Sequence, residues 1–290
     1  MTPTPSDIAA RRRAFRQLHA SGCFVVPNPW DRGSARYLQG LGFKALATTS
    51  SGCAWSCGHA DGDLSRETVL AHLRDIVEAT ELPVNADFES GYAADPQGVT
   101  ESVRLAIETG VAGLSIEDST GDAAHPLYDL DVAVARLRAA RTAIDAAGGD
   151  TLLVGRAENF FAGRPDLDDT IARLQAFAEA GADCLYAPGI RTPEQIAAVV
   201  AAVAPKPVNL LVGSATEKAI TQAARVSRKT PNERIFGGMR AGPGRPVTVR
   251  ASKARSRIGH IFRYRFAFMD SCVRYSESGR PSASCSRPFV

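Results

Sequence analysis

The strongest constraint on the fold is an alternation through most of the chain, in which a short apolar run is followed by an amphipathic segment of helical period. The apolar runs are FVVPN (24–28), KALATTS (44–50), PVNADF (83–88), GLSIED (113–118), LLVGRAE (152–158), CLYAPG (184–189) and PVNLLVG (207–213). The main helical segments cover residues 65–80, 96–109, 130–147, 166–180 and 192–203. This alternation predicts an α/β fold whose parallel strands are buried on both faces.

The number of repeating units decides between two α/β architectures. Seven strand-helix units, with a candidate eighth strand at residues 233–238, favour a (β/α)8 barrel of TIM type over an open doubly wound sheet. A chain of 290 residues is long enough for such a barrel. We therefore expect a barrel domain over residues 1–239.

The C-terminal part of the chain differs in charge from the rest. Residues 1–213 carry 18 Lys and Arg against 27 Asp and Glu, a net charge of −9, whereas residues 214–290 carry 16 against 4, a net charge of +12. Residues 240–290 are rich in Arg, Ser, Gly and Pro without helix-capping signals, which predicts a basic, poorly ordered tail. Three interpretations stay open: an out-of-frame or rearranged C terminus, a mobile segment that binds nucleic acid or another polyanion, and a segment that folds on a partner subunit.

The lack of targeting signals and the spacing of the cysteines indicate where the protein is located and which cysteine chemistry to expect. No apolar run approaches the roughly 18 residues that span a bilayer, and MTPTPSDIAARRRAF is not followed by the apolar region of a signal peptide. We expect a cytoplasmic protein without membrane contact. The six cysteines are too sparse for a disulfide framework and are expected to be reduced. Cys53, Cys57 and His59 lack a second ligand pair, so no zinc site is expected.

Polar residues collect at one end of the predicted strands. They are Asn28, Thr49 to Ser51, Asp87, Glu89, Glu117, Asp118, Arg156, Glu158 and Asn159. In a (β/α) barrel the carboxyl ends of the strands form the face on which active sites are built, so these residues should converge. Acids on adjacent strands suit Mg²⁺, which takes one or two carboxylates together with waters and substrate oxygens. The planar fork of Arg156 suits a substrate carboxylate.

Four motifs, in this order and spacing, make the chain recognisable. They are SSGCAWSCGHADG (50–62), NADFESGYA (85–93), GLSIEDS (113–119) and GRAENFFAG (155–163). They resemble the isocitrate lyase / phosphoenolpyruvate mutase superfamily, most closely its small bacterial members of methylisocitrate lyase and phosphonomutase type, over about residues 15–213. The resemblance implies an enzyme that uses Mg²⁺, with Mn²⁺ as a substitute, on a small carboxylic acid. It also implies a homotetramer with exchanged C-terminal helices, an expectation that the atypical C terminus lowers.

The resemblance also assigns roles to individual positions. The metal ligands fall on Asp87, Glu89 and Glu117, although the family more often has aspartate at the second of these positions. Arg156 would bind one end of the substrate, and Asp61 would orient waters or move a proton. The turn whose backbone amides hold a substrate carboxylate or phosphonate falls on Ser51, Gly52 and Cys53.

Two departures from the family pattern narrow the range of reactions that the enzyme is expected to catalyse. Lyases of the family carry a catalytic Cys-Gly-His in the gate loop, where this chain reads STGDAAHP (119–126), so methylisocitrate cleavage would lack its general acid. His125 is the candidate to replace it in gating or proton transfer. Phosphonomutases usually place a histidine where this chain has Ala187, Pro188 and Gly189.

The expected function is a reaction of the superfamily that needs neither the gate-loop cysteine nor the phosphonomutase histidine. It is a carbon–carbon lyase or decarboxylase that acts through an enolate on a small 2-oxo or 2-hydroxy di- or tricarboxylic acid. The alternatives are phosphonomutase-type P–C chemistry, and an inactive or ligand-binding barrel with a polyanion-binding tail.

Overall fold

The computed structural model describes residues 2–212 of the protein. In this range the helices are α1 (Pro5–Ala20), α2 (Arg32–Gly40), α3 (Ser50–Ser56), α4 (Arg66–Ala79), α5 (Pro96–Glu108), α6 (Leu130–Ala146), α7 (Leu167–Glu179) and α8 (Pro193–Val203). The strands are β1 (Leu46–Ala47), β2 (Val84–Asp87), β3 (Gly113–Glu117), β4 (Leu152–Arg156), β5 (Cys184–Tyr186) and β6 (Val208–Asn209).

These strands form one parallel sheet in the order β1-β2-β3-β4-β5-β6. Strands that pair in chain order through helical crossovers build a (β/α) barrel, which confirms the predicted fold class. The candidate strand at 233–238, the end of the barrel domain at residue 239 and the tail at 240–290 lie outside the described residues.

The helices begin where the sequence places capping residues. Asp31 accepts the backbone N–H of Ser34 at 2.6 Å before α2, and the Ser34 hydroxyl accepts the Asp31 N–H at 3.1 Å. Thr192 and Gln195 form the same reciprocal arrangement before α8. Each such cap satisfies backbone N–H groups that have no partner inside the helix. The five predicted helical segments are therefore confirmed as α4 to α8.

The first predicted strand, FVVPN (24–28), is not a strand in the structure. Pro27 and Pro29 lack the N–H group that a sheet ladder requires. The segment nevertheless runs beside β1: the N–H of Ala47 donates to the Pro27 carbonyl at 3.1 Å, and the Asn28 amide donates to the Ala47 carbonyl at 2.9 Å. The prediction placed the segment correctly beside the sheet and assigned the wrong backbone pattern.

Helix α1, which the alternating pattern does not include, covers the amino ends of the strands. Phe15 is 2% exposed, and a Cβ added at Gly113, the first residue of β3, would lie 2.7 Å from its ring. Arg12 donates to the Ile107 carbonyl at 2.9 Å, and Arg16 donates to the Gly149 carbonyl at 2.6 Å. With this end closed, the carboxyl ends of the strands remain as the face for a site.

The core lies between the sheet and the surrounding helices. It includes the fully buried Leu73, Ile76, Leu114, Ile144 and Phe177. Aliphatic packing of this kind supplies most of the stability of an α/β fold. Within residues 2–212, no helix combines the length and the apolar composition needed to cross a membrane.

His19, in α1, makes the stability of the folded state depend on pH in a predictable way. Its ring packs edge-on between Phe15 and Phe24, with centroid distances of 4.5 and 4.9 Å. Burial lowers the pKa of His19, outweighing the opposing hydrogen bond to the Phe15 carbonyl and the charge of Asp183. The unfolded chain therefore takes up this proton first as the pH falls below about 6.5, so the folded state loses stability there.

We expect His19→Phe to remove that loss. Urea unfolding from about pH 7 to about pH 5.5 should show a free energy of unfolding that decreases less for the variant than for the wild type. His59→Phe, at an exposed histidine, serves as the matched control and should follow the wild-type profile. Parallel profiles for wild type and His19→Phe would contradict this assignment.

Candidate active site

The last residues of three adjacent strands meet at the carboxyl face of the sheet. Asp87 ends β2, Glu117 ends β3 and Arg156 ends β4, with Glu117 and Arg156 directly opposite in register. Nη1 of Arg156 lies 3.0 Å from Oδ1 of Asp87 and 3.3 Å from Oε2 of Glu117. The side chains are only 13% to 15% exposed. The structure therefore brings together three of the predicted site residues.

Further contacts fix the orientation of the Arg156 side chain. Its Nε donates to the carboxylate of Glu158, and its guanidinium lies 5.2 Å from the centre of the Tyr186 ring at the end of β5. Burial alone would lower the pKa of Arg156, but the charges of Asp87, Glu117 and Glu158 outweigh it and raise that pKa well above its usual value. Arg156 is thus a permanent cation held in one place.

Asp87 is joined to the start of α3. The backbone N–H of Ser50 donates to Oδ2 of Asp87 at 3.0 Å, and the N–H of Asp87 donates to the Thr48 hydroxyl at 2.9 Å. The first hydrogen bond fixes the carboxylate of Asp87, and the second fixes its backbone. The end of β2 is therefore linked directly to the start of α3.

Ser51, Gly52 and Cys53, predicted to form a substrate-binding turn, lie in the first turn of α3. Thr49 caps this turn: its hydroxyl lies 3.0 Å from the Ser51 hydroxyl, and its carbonyl accepts the Cys53 N–H at 3.0 Å. A Cβ at Gly52 would lie 2.5 Å from Cδ1 of Trp30, so only glycine fits under that indole. The predicted turn is helical and lies next to Asp87.

Glu89 lies beside these residues but has its own partner. Tyr92 donates to Oε1 of Glu89 at 2.5 Å, and both residues have positive φ, 46° and 52°. Residues other than glycine rarely adopt this conformation, and it persists where the surroundings impose it. Burial raises the pKa of Glu89, and the charges of Asp87 and Asp61 add to the increase.

The charges around Arg156 do not balance. We use the name Arg156 cluster for Arg156 and the carboxylates of Asp61, Asp87, Glu89, Glu117 and Glu158. Burial raises the pKa of Glu117 well above its usual value, and the neighbouring carboxylates add to this against the attraction of Arg156. The pKa of Glu158 is also raised, first by burial. Within the described residues, one guanidinium faces five carboxylates in this cluster, which is therefore short of positive charge.

This donor set fits a hard divalent cation. Between residues 2 and 212, no three His, Cys, Asp or Glu side chains converge as a preformed metal site, and Arg156 lies between Asp87 and Glu117. Mg²⁺ does not need such a cage, because it keeps several waters and binds through one or two carboxylates. The oxygen-only donors and the excess of carboxylates over cations in the cluster suit this mode of binding.

The two predicted proton-transfer residues differ in position. Asp61 is exposed in the loop after α3, and its pKa is raised by partial desolvation and by the charge of Asp87, against the hydrogen bond from Ser50. His125 is 85% exposed in the loop after β3, and its Nδ1 lies 3.5 Å from Asp122. In the part of the chain that the structure describes, Asp61 belongs to the cluster, and no hydrogen bond or ion pair joins His125 to it.

Sequence reasoning placed Asp118 among the polar residues at the strand ends without assigning it a partner, and it missed Arg173 behind the cluster. Asp118 is 1% exposed and pairs with Arg173 of α7, with Nη1 and Oδ2 3.1 Å apart. Asp118 is part of the GLSIED motif, which indicated its position at the strand end. Arg173 carries no such signal, since an arginine in an amphipathic helix usually lies on the solvated face.

Comparison with known proteins agrees with the fold and the motifs. The sequence pattern of the family described as phosphoenolpyruvate phosphomutase matches residues 15–230. An oxaloacetate decarboxylase from Bradyrhizobium diazoefficiens is 32% identical over 201 residues, which is 67% of this chain and 68% of that protein.

Solved structures extend the comparison. A protein described as a lyase/mutase from Burkholderia cenocepacia J2315 is 47% identical, with a TM-score of 0.72, over 77% of this chain and 80% of that one. An oxaloacetate acetylhydrolase solved with its product oxalate is 28% identical, with a TM-score of 0.70, over 78% and 79% of the two chains. The chain belongs to the phosphoenolpyruvate phosphomutase family, within the isocitrate lyase / phosphoenolpyruvate mutase superfamily, and is an enzyme of its lyase type.

Proposed function

We propose that this enzyme is a Mg²⁺-dependent decarboxylase that releases carbon dioxide from a small 2-oxo dicarboxylic acid such as oxaloacetate. The observation that carries the proposal is the Arg156 cluster, in which the carboxylates of Asp87, Glu117 and Glu158 all contact one guanidinium at the carboxyl face of the sheet. The similarity of this chain to an oxaloacetate decarboxylase and to an oxaloacetate acetylhydrolase supports this substrate class.

Asp87 and Glu117 are the residues that would hold Mg²⁺, and Glu89 would reach it through a water. Bound there, Mg²⁺ would act as a Lewis acid on the 2-oxo oxygen and stabilise the negative charge of an enolate. Mn²⁺, which prefers the same ligands, would substitute.

Arg156 would bind a substrate carboxylate. Its Nη1 lies against Asp87 and Glu117. A cation held by these two carboxylates would compete for their charge and leave Nη1 for a substrate carboxylate, while Glu158 and Tyr186 keep the guanidinium in place. Ser51, Gly52 and Cys53, adjacent to Asp87 through Ser50, would bind the second acid group.

The proton balance of the reaction gives Asp61 its role. The bond between the leaving carboxylate and the carbon next to the keto group breaks, its electron pair passes to the enolate, and carbon dioxide leaves. A proton must then return to that carbon. Asp61 is suited to deliver it because its raised pKa keeps a proton available closer to neutral pH. His125 would take part only if the loop after β3 moves towards the cluster.

Decarboxylation also agrees with the departures from the family pattern. Cleavage of methylisocitrate would need the gate-loop cysteine that residues 119–126 lack. P–C chemistry is the second candidate, favoured by the family whose pattern matches the chain. The absence of a histidine at residues 187–189 weighs against it.

A substrate panel tests the proposal. Purified protein is incubated with oxaloacetate, methylisocitrate or phosphonopyruvate, with Mg²⁺ or with EDTA, and pyruvate is measured against a protein-free blank with the same Mg²⁺. We expect Mg²⁺-dependent pyruvate release from oxaloacetate. Turnover of phosphonopyruvate instead would assign P–C chemistry, and oxalate binding without turnover of any substrate would indicate an inactive relative.

A further inference from the structure

Arg173 connects the loop after β3 to the body of the protein. This side chain of α7 is 11% exposed, and its Nη1 lies 3.1 Å from Oδ2 of Asp118 and 2.9 Å from the carbonyl of Tyr128. Asp118 and Tyr128 flank the β3–α6 loop, residues 119–127, and the Tyr128 N–H donates to the Asp118 carbonyl at 2.9 Å. A single guanidinium nitrogen therefore holds both ends of the loop.

The same ion pair reaches the Arg156 cluster through the backbone. Oδ1 of Asp118 accepts the N–H of Glu158 at 2.8 Å, and the carboxylate of Glu158 pairs with Nε of Arg156. Asp118 is 1% exposed, so water does not compete for these contacts. A chain of direct contacts thus runs from Arg173 through Asp118 and Glu158 to Arg156.

Tyr128 is also held from its other side. The guanidinium of Arg136 lies 4.4 Å from the centre of the Tyr128 ring and donates to the carbonyls of Ser90 and Ala93, in the loop after β2. The middle of the β3–α6 loop, in contrast, is exposed at residues 121–125. Two arginines therefore fix the base of a loop whose tip faces solvent.

We propose that Arg173 is a positioning residue. Through Asp118 it fixes the position of Glu158 and the orientation of the Arg156 side chain, and through Tyr128 it holds the base of the β3–α6 loop. Its effect on turnover rests on the proposed function, whereas its effect on the loop does not. Arg32 of α2 and Asp75 of α4 form an ion pair of the same residue types, with Nη1 and Oδ1 2.7 Å apart and side chains 41% and 59% exposed, which offers a matched control.

The test must separate positioning from folding. Loss of Arg173 alone would leave Asp118 as an unpaired buried charge, which destabilises a protein strongly. The double variant Arg173→Met with Asp118→Asn removes both charges and keeps an acceptor for the Glu158 N–H. We expect it to fold, with kcat/KM for the oxoacid lowered roughly 10- to 100-fold, as for other residues that orient a site from behind. Arg32→Met with Asp75→Asn, the same two changes in an exposed ion pair, should stay within about twofold of the wild type, as is usual for surface changes.

Hydrogen exchange provides a readout that needs no substrate. In the double variant, the amides of Tyr128 and Glu158 should exchange faster, while those of β2 keep their wild-type rates. Wild-type kcat/KM together with wild-type exchange at both amides would overturn the proposal, as would an equal acceleration in β2. If the wild type turns over no substrate, the proposed function fails, and the exchange rates still decide whether Arg173 positions the loop and Glu158.

Discussion

Asp87→Asn should abolish Mg²⁺-dependent turnover and leave the fold intact. Asparagine keeps the size of the side chain and can still accept the Ser50 N–H, but it removes the charge that lies 3.0 Å from Arg156. Lewis-acid stabilisation of developing charge is worth several kcal/mol, and each 1.4 kcal/mol or so is about a factor of ten in rate. We therefore expect kcat/KM to fall roughly 1000-fold.

Metal binding by this variant can be measured without activity. A ligand that binds only the folded state stabilises it by about 2.7 kcal/mol at 100 times its Kd. Added Mg²⁺ should therefore raise the Tm of the wild type and not that of Asp87→Asn. Asp150→Asn makes the same chemical change at an exposed residue just before β4, at the opposite end of the sheet, and should keep both turnover and the Mg²⁺ shift. A full Mg²⁺ response in Asp87→Asn would remove Asp87 from the metal site.

Arg156→Gln should be the most damaging single change in the cluster. It removes the guanidinium that lies against Asp87, Glu117 and Glu158, whose side chains are 8% to 15% exposed. Breaking a buried ion pair by removing one partner costs about 3–5 kcal/mol, because the remaining charge stays buried without compensation. We expect a loss of stability of this order in urea unfolding, partly recovered by Mg²⁺, together with loss of turnover.

Arg156→Lys separates charge from geometry at the same position. Lysine keeps the positive charge but cannot contact a substrate carboxylate and Glu158 with a planar fork. Most of the stability lost in Arg156→Gln should therefore be restored in Arg156→Lys. KM for the oxoacid should still rise, and kcat/KM should stay roughly 100-fold below that of the wild type. Arg138→Lys, at an exposed arginine of α6, is the control and should leave both quantities unchanged. Wild-type KM in Arg156→Lys would contradict a role in carboxylate binding.

The sequence predicted the elements that carry the site because their signals are local. Apolar runs and helical periods located β2 to β5 and α4 to α8, and the polar residue at each strand end followed directly from that alignment. The FVVPN segment failed as a strand because Pro27 within it and Pro29 just after it, signals that are also local, override an apolar run. The roles of Glu89 and His125 stay predictions, the first with Tyr92 as its present partner and the second on an exposed loop.

What the sequence determined by itself is the barrel and the set of acids at its carboxyl face, since chain order and strand direction send successive strand ends to one side. Only the tertiary structure decided which of those acids share Arg156, and that Asp118 pairs with Arg173 at a separation of 55 residues. Such partners depend on strand register, helix rotation and side-chain rotamers acting together. None of these can be predicted from the spacing of residues along the chain. From the sequence alone Arg173 of α7 is therefore expected at the surface, whereas in the fold it is buried beneath the loop.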